Sequence, residues 1–85
     1  MYACACCGYL TLSFPEGSLE ICEVCGWVDD TSGLDFPKLA IGPNHVSLET
    51  ARANYRRFGA SEPRKLSYVR PPRPEEVPSD EPDRA

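Results

Sequence analysis

Four cysteines, arranged as two copies of one short motif, are the residues of this chain best suited to chemistry. The motif C-x-x-C-G-aromatic occurs at residues 4–9, the first knuckle, and again at residues 22–27, the second knuckle. Two residues between cysteines let a tight turn aim both sulfurs at one point, and the following glycine supplies the positive φ that the turn requires. Four thiolates that face one another form the tetrahedral site of a structural Zn²⁺. We therefore predict one structural zinc ion with four ligands: Cys4, Cys7, Cys22 and Cys25.

Two other uses of these cysteines stay open. Four thiolates also bind iron, as in rubredoxin-like electron-transfer sites, so iron is an alternative to zinc. The sulfurs could instead form two disulfide bonds, but the chain shows no secretory segment, and thiols stay reduced in the cytoplasm. It also shows no stretch that is apolar enough to span a membrane. We therefore expect a cytoplasmic protein whose thiolates bind metal.

A β-hairpin is predicted to bring the two knuckles together. Residues 9–14 alternate between apolar and polar types, as a half-buried strand does, and residues 19–21 resume the alternation after a Pro-Glu-Gly-Ser turn. Antiparallel pairing of these two segments would place Cys7 and Cys22 at the same open end. The pattern thus predicts a zinc ribbon, which is a β-hairpin that carries two zinc knuckles.

One amphipathic helix is predicted over residues 47–58. Ser47 is a favourable N-cap, Glu49 complements the helix dipole in the first turn, and Gly59 is a typical C-terminal stop. Four apolar residues form the stripe expected to pack on the hairpin: Leu48, Ala51, Tyr55 and Phe58.

The segments around this helix give weaker patterns. Residues 31–33 are typical of a polar turn, and residues 66–69 could add a third strand to the hairpin. Residues 34–41 are expected to form a packed loop with four apolar anchors: Leu34, Phe36, Leu39 and Ile41.

Length and charge limit the domain organisation. The chain has 85 residues and a net charge of −4. We predict one small metal-stapled α+β domain over residues 1–70, followed by a disordered tail over residues 71–85 that is rich in proline and acidic residues. Because so short a chain buries little apolar surface, a metal ion is expected to supply much of its stability.

Several further motifs resemble those of the cysteine-rich CPCC family of small bacterial proteins. They are CACCGYLTL at residues 4–12, EIC at 20–22, Trp27 with Asp29 and Asp30, GPNHVSL at 42–48 and YVRPP at 68–72. The resemblance covers about residues 4–72 and implies a zinc-binding bacterial domain, without a biochemical activity. The family pattern has proline at the positions of Ala5 and, commonly, Glu23, and neither change removes a sulfur.

The remaining reactive residues each have a functional and a structural interpretation. Cys6 is a fifth thiol that cannot join the same tetrahedron, so it is either a redox-sensitive or nucleophilic thiol or a small residue in the turn. His45 could act as a general base with Asp29 or Asp30 in a small hydrolase, or it could satisfy backbone groups at the helix start. Asn44 is expected to be a capping or turn residue.

Positive charge is concentrated in the second half of the chain. Seven of the nine cations lie between residues 52 and 73: Arg52, Arg56, Arg57, Arg64, Lys65, Arg70 and Arg73. With Tyr55 and Tyr68 nearby, this arginine-rich helix face could bind nucleic acid. The acidic first half of the chain weighs against that function, and the same cations could pair with acidic segments or with an acidic partner protein.

A structural-zinc binding module for protein–protein interaction is the predicted function. Such a module would present Trp27, the turn at Asp29 and Asp30, and the arginine face to another protein. Four thiolates leave the zinc no open coordination position for water, which argues against an enzyme centred on the metal. A nucleic-acid-binding zinc ribbon and a small hydrolase that uses Asp29, Asp30 and His45 stay open as alternatives.

Overall fold

The first knuckle forms the loop of a short β-hairpin. The computed structural model describes residues 1–78, in which strand β1 (Tyr2–Ala3) pairs antiparallel with strand β2 (Leu10–Leu12). Tyr2 lies opposite Leu12, so the two strands meet on either side of the cysteine turn. Leu12 is buried and carries the hairpin into the core.

A β-hairpin is therefore present, but the strand pairing predicted from the sequence is wrong. Residues 19–21 pair across the second knuckle instead, where Ile21 bridges to Val28 and the Asp29 N–H donates to the Glu20 carbonyl at 2.8 Å. Each cysteine turn reverses the chain by itself, so the residues that flank it are the nearest available partners. The hydrogen bonds between the two predicted strands run to a side chain instead, since the Glu20 carboxylate accepts from the Ser13 and Phe14 N–H groups.

Helix α2 (Leu48–Phe58) agrees closely with the helix predicted over residues 47–58. The Ser47 hydroxyl accepts a hydrogen bond from the Thr50 N–H at 3.1 Å, and Gly59 ends the helix in the left-handed conformation with φ of 90°. Leu48 and Ala51 of the predicted stripe are fully buried. Because these two residues belong to the same core cluster as four of the cysteines, α2 packs directly against the knuckles.

The segment between the second knuckle and α2 differs from the prediction. Helix α1 (Thr31–Asp35) replaces the polar turn predicted at residues 31–33. Leu34 packs against the core, but the three other predicted anchors are largely exposed: Phe36 at 53%, Leu39 at 52% and Ile41 at 38%. The cysteine turns fill much of the small core, which leaves these side chains without an apolar surface to cover.

Residues 66–69 form no third strand within the described part of the chain. A 3₁₀-helix (Pro63–Lys65) comes directly before them, and the Leu66 N–H donates to the Pro63 carbonyl at 3.2 Å. The Tyr68 N–H likewise donates to the Lys65 carbonyl at 2.9 Å. These local hydrogen bonds fold residues 66–68 into a turn. The short apolar alternation at residues 66–69 was therefore insufficient evidence for a strand.

A packed C-terminal segment follows where the sequence predicted the start of a tail. A second 3₁₀-helix (Pro74–Glu76) places the Glu76 carboxylate 2.7 Å from Arg70, whose guanidinium also contacts Glu23 at 3.1 Å. The Arg73 N–H donates to Glu76 at 2.8 Å. The predicted domain end at residue 70 thus lies inside an ordered network, and the rest of the predicted tail, residues 79–85, lies outside the described residues.

The Glu76 contacts predict a defined pH dependence. Hydrogen bonds from Arg70 and from the Arg73 backbone lower the pKa of Glu76 to about 2. Because the folded pKa lies below the unfolded value of about 4.3, Glu76 stabilises the fold above that pH and loses this contribution as the pH falls toward 2. Urea unfolding should show that Glu76→Gln is less stable than the wild type at pH 7, with a difference that shrinks on acidification. Glu75→Gln, at an exposed neighbouring position, is the control; a pH-independent difference would contradict the prediction.

Within residues 1–78, the helices are all too short and too polar to cross a membrane.

Candidate metal centre

The four predicted ligand cysteines converge on one point. Their sulfur atoms lie within 4.8 Å of one another, with Cys4 Sγ 3.6 Å from Cys25 Sγ and Cys7 Sγ 3.7 Å from Cys22 Sγ. A metal ion with four bonds to sulfur of about 2.3 Å has sulfur–sulfur edges of about 3.8 Å. A disulfide bond is only about 2 Å long. The arrangement could therefore hold a metal ion, and two of its sulfur–sulfur separations are close to the edge length of a tetrahedral thiolate site.

The two knuckles share one backbone conformation, which aims their sulfurs alike. The Gly8 N–H donates to the Cys4 carbonyl at 2.8 Å, and the Gly26 N–H donates to the Cys22 carbonyl at 2.8 Å. Gly8 and Gly26 have nearly equal positive φ values of 83° and 86°, a conformation that side chains other than glycine rarely adopt. The C-x-x-C-G spacing was thus a sufficient sequence signal for this local geometry.

Burial disfavours thiolates at this site, whereas the hydrogen bonds between the sulfurs act in both directions. Cys4, Cys22 and Cys25 are each at most 2% exposed. Hydrogen bonding from Cys25, together with bonds from the other thiols and from the Thr11 hydroxyl, lowers the pKa of Cys22, whereas the bond to Cys22 raises the pKa of Cys25. Four thiolates this close repel one another unless a cation lies between them. The donor set therefore fits a thiophilic metal ion.

Cys6 and Trp27 are core residues. Cys6 is 8% exposed and lies outside the group of four converging sulfurs, and Trp27 is 1% exposed. The Trp27 ring packs on Gly33 so closely that a Cβ at that glycine would lie 2.7 Å from the ring. Trp27 is therefore not available to a partner, contrary to the prediction that it is presented at the surface.

Asp29 and Asp30 support loops. The Asp29 carboxylate is buried and accepts hydrogen bonds from the Gly17 N–H at 3.0 Å and from the Ser18 hydroxyl at 3.2 Å. Asp30 accepts a hydrogen bond from the Ser32 hydroxyl. Asp29 is thus already occupied by its own loop and is not presented to a partner as predicted.

His45 lies apart from these carboxylates. Its partners within residues 1–78 are Arg64 and Glu62, with its Nδ1 3.6 Å from the Glu62 carboxylate. Although burial opposes it, the Arg64 hydrogen bond lowers the pKa of Glu62. The structure therefore does not bring together the acid–base pair that the hydrolase hypothesis requires.

Asn44 joins the chain before α2 to the second knuckle. Its side-chain oxygen accepts from the Val28 N–H at 2.9 Å, and its amide donates to the Val28 carbonyl at 2.9 Å. These two hydrogen bonds satisfy the backbone N–H and carbonyl of Val28 and explain the burial of Asn44. Asn44, which the sequence predicted to be a capping or turn residue, thus links the segment before α2 to the residue after the second knuckle.

Contacts from the second half of the chain were not evident in the sequence. Arg52 Nε donates to the Ala5 carbonyl at 2.9 Å, and Lys65 Nζ donates to the Gly26 carbonyl at 3.0 Å. The Ser61 N–H donates to the Cys25 carbonyl at 2.7 Å. These contacts join residues far apart in the chain, so no local spacing could indicate them.

A cleft of about 430 Å³ adjoins the second knuckle. Its walls include Cys22 and two strongly exposed apolar residues, Ile21 at 61% and Tyr68 at 77%. Arg64 and Lys65 also line it. One candidate ligand, Cys22, therefore lines this concave surface.

The two knuckle glycines offer a matched test of the environment of each knuckle. Both have positive φ, but a Cβ at Gly8 would meet no atom within 4 Å, whereas one at Gly26 would lie 3.0 Å from the Lys65 side chain. Gly8→Ala should therefore cost about 1 kcal/mol of backbone strain alone. Gly26→Ala should cost more, because it also displaces Lys65 from the Gly26 carbonyl. Chemical denaturation of the metal-loaded variants would measure both; equal losses would contradict the close contact at Gly26.

Fold and site together define a class: small α+β domains with paired cysteine knuckles that can hold one metal ion. A family model for cysteine-rich CPCC proteins matches residues 2–76, and the chain belongs to this family. The match ends at Glu76, the last residue of the second 3₁₀-helix. No curated protein matches the chain.

Proposed function

We propose that the protein is a structural zinc module of the zinc-ribbon type, with Cys4, Cys7, Cys22 and Cys25 as ligands. The observation that carries this proposal is the convergence of four sulfurs at separations of 3.6 and 3.7 Å along two edges. Sulfur-only tetrahedral sites favour zinc or iron, and zinc needs no redox partner to act as a structural element. The cytoplasmic location is a prediction from the residues, and the bacterial origin is implied by the resemblance to the family.

A structural role follows from the completeness of the donor set. Four thiolates fill the coordination sphere of Zn²⁺, so no position remains at which the ion could activate water. The ion would join the two knuckles, which belong to separate parts of the chain, into one core. The proposed role of the metal is therefore to stabilise the folded state of a domain that has a small core.

Native mass spectrometry of protein purified without chelator tests this proposal. The expected result is one zinc ion per chain. Iron at the same stoichiometry would contradict the structural zinc proposal and would favour an electron-transfer centre instead. A metal-free chain with paired cysteines would refute the proposal.

We further propose that the module binds another protein through the cleft beside the second knuckle. The support is the exposure of Ile21 and Tyr68 around a preformed concavity, since contiguous exposed apolar surface is typical of interaction sites. Photo-crosslinking in cells, with a crosslinkable residue at position 68, should yield a defined adduct. The same probe at exposed Glu16, outside the cleft lining, is the control, and equal labelling from both positions would contradict this role.

Nucleic acid is a less favoured ligand. Arg64 pairs with Glu62, and Arg70 pairs with Glu23 and Glu76, so part of the basic segment is already neutralised. Binding to a phosphate backbone depends on several uncompensated cations. Fluorescence anisotropy with single-stranded and duplex oligonucleotides at low salt should therefore show no binding; a complex that weakens steeply with salt would favour this alternative.

A further inference from the structure

Two cations from the second half of the chain each contact the backbone of one knuckle. Arg52, on α2, donates from Nε to the carbonyl of Ala5, which lies between Cys4 and Cys7. Lys65 donates from Nζ to the carbonyl of Gly26, which follows Cys25. Each half of the cysteine cluster thus has one cation placed beside it.

Among residues 1–78, these two cations form no ion pair with a carboxylate. Within residues 1–78, Arg64 and Arg70 form ion pairs with glutamates, whereas neither Arg52 nor Lys65 has an acidic group within 4.0 Å. Both side chains instead donate a hydrogen bond to a neutral backbone carbonyl. Both contacts lie next to a ligand cysteine in the chain, since Ala5 follows Cys4 and Gly26 follows Cys25.

The charges of such a centre can be counted. Four thiolates and one divalent ion carry a net charge of −2. Arg52 and Lys65 together carry +2, so the metal-loaded centre and its two neighbours are neutral as a group.

We propose that Arg52 and Lys65 are positioning residues that balance the charge of the metal–thiolate centre and so raise its affinity for metal. This inference rests on the proposed function, because it requires a divalent ion on the four cysteines. It also links metal binding to folding of the second half, since α2 and the first 3₁₀-helix supply one cation each.

The alternative is that Arg52 acts only as a hydrogen-bond donor and that its charge has no effect on metal binding. One substitution distinguishes this alternative from charge balancing. In Arg52→Gln the side-chain amide nitrogen takes the position of Arg52 Nε, so the bond to Ala5 can be kept while the charge is lost. Arg52→Lys keeps the charge and moves the donor. Arg56→Gln makes the same chemical change one turn further along α2, at an exposed residue that does not contact a knuckle in the described structure.

Zinc affinity, measured by competition with a chromogenic chelator at fixed pH and low salt, tests the proposal. Arg52→Gln should weaken zinc binding by about tenfold, the lower end of effects seen for groups that support metal ligands. Arg52→Lys should recover most of that loss, and Arg56→Gln should stay within about twofold of the wild type, as for other exposed charges. In 1 M salt the effect of Arg52→Gln should shrink, since exposed charges are screened.

Lys65 gives a second, independent pair of variants. Lys65→Gln should weaken binding while Lys65→Arg preserves it, and the absorption spectrum of the cobalt-loaded proteins should show an unchanged tetrahedral sulfur site. Zinc affinity equal to the wild type in both glutamine variants would overturn the charge-balancing role and leave the proposed function intact. A wild-type chain that binds neither zinc nor cobalt would instead overturn the proposed function itself.

Discussion

Removal of zinc by a chelator is expected to unfold the domain. Within residues 1–78, the buried core cluster consists of nine residues, of which four are cysteines: Cys4, Cys6, Cys22 and Cys25. A structural zinc ion contributes about 10–16 kcal/mol in small zinc peptides, as much as the entire stability of a typical domain. The apolar core that remains without metal is too small to offset the entropy of ordering the chain.

Trp27 provides the measurement for this experiment. It is the single tryptophan of the chain and is 1% exposed, so unfolding should shift its fluorescence emission strongly to the red. Chelator already saturated with zinc is the control, and added zinc should restore the original emission. Emission that stays blue-shifted after complete metal removal would show that the apolar core folds by itself.

Replacement of one ligand cysteine should destabilise the domain almost as much as removal of the zinc ion does. Cys25→Ser is expected to weaken zinc binding at least about 100-fold, because a neutral hydroxyl is a poor substitute for a thiolate on zinc. Cys25 is fully buried, so the variant should also resemble the metal-free protein in its unfolding transition.

Cys6→Ser is the matched control for that experiment. It makes the same chemical change at another buried cysteine, only two residues from the ligand Cys4. We expect Cys6→Ser to retain one zinc ion per chain, with a modest loss of stability from a hydroxyl placed in the core. Elemental analysis and chelator competition would measure both variants. Equal loss of metal would mean that Cys6 takes part in the centre.

The Arg52 and Lys65 contacts show how the second half of the chain depends on the first. The Arg70 N–H donates to the Glu23 carbonyl at 3.1 Å, and the Ser61 N–H donates to the Cys25 carbonyl, so the second knuckle is held along much of its backbone. Loss of metal would therefore also release the walls of the cleft. Any partner that binds there should require the metal-loaded protein.

Sequence alone predicted the features that depend on residues close together in the chain. The two knuckles follow from C-x-x-C-G spacing, because two intervening residues and a glycine determine the turn. Helix α2 follows from the Ser47 cap, the apolar spacing and Gly59, which act within a few turns of one another. The resemblance to the CPCC family, carried by short motifs, was likewise confirmed by the family match.

Tertiary structure decided the features that depend on distant partners. The predicted strand pairing was wrong because alternating apolar residues indicate a strand but do not identify the segment with which it pairs. Ile21 pairs with Val28, across the second knuckle, rather than with residues 9–14. Asp29 and His45 were both candidates for chemistry, and only their contacts showed that Asp29 is buried in a loop and His45 lies beside Glu62. Arg52 and Lys65 looked like two surface cations among seven. Their position beside the cysteine cluster depends on packing between the two halves of the chain, which no local pattern of residues contains.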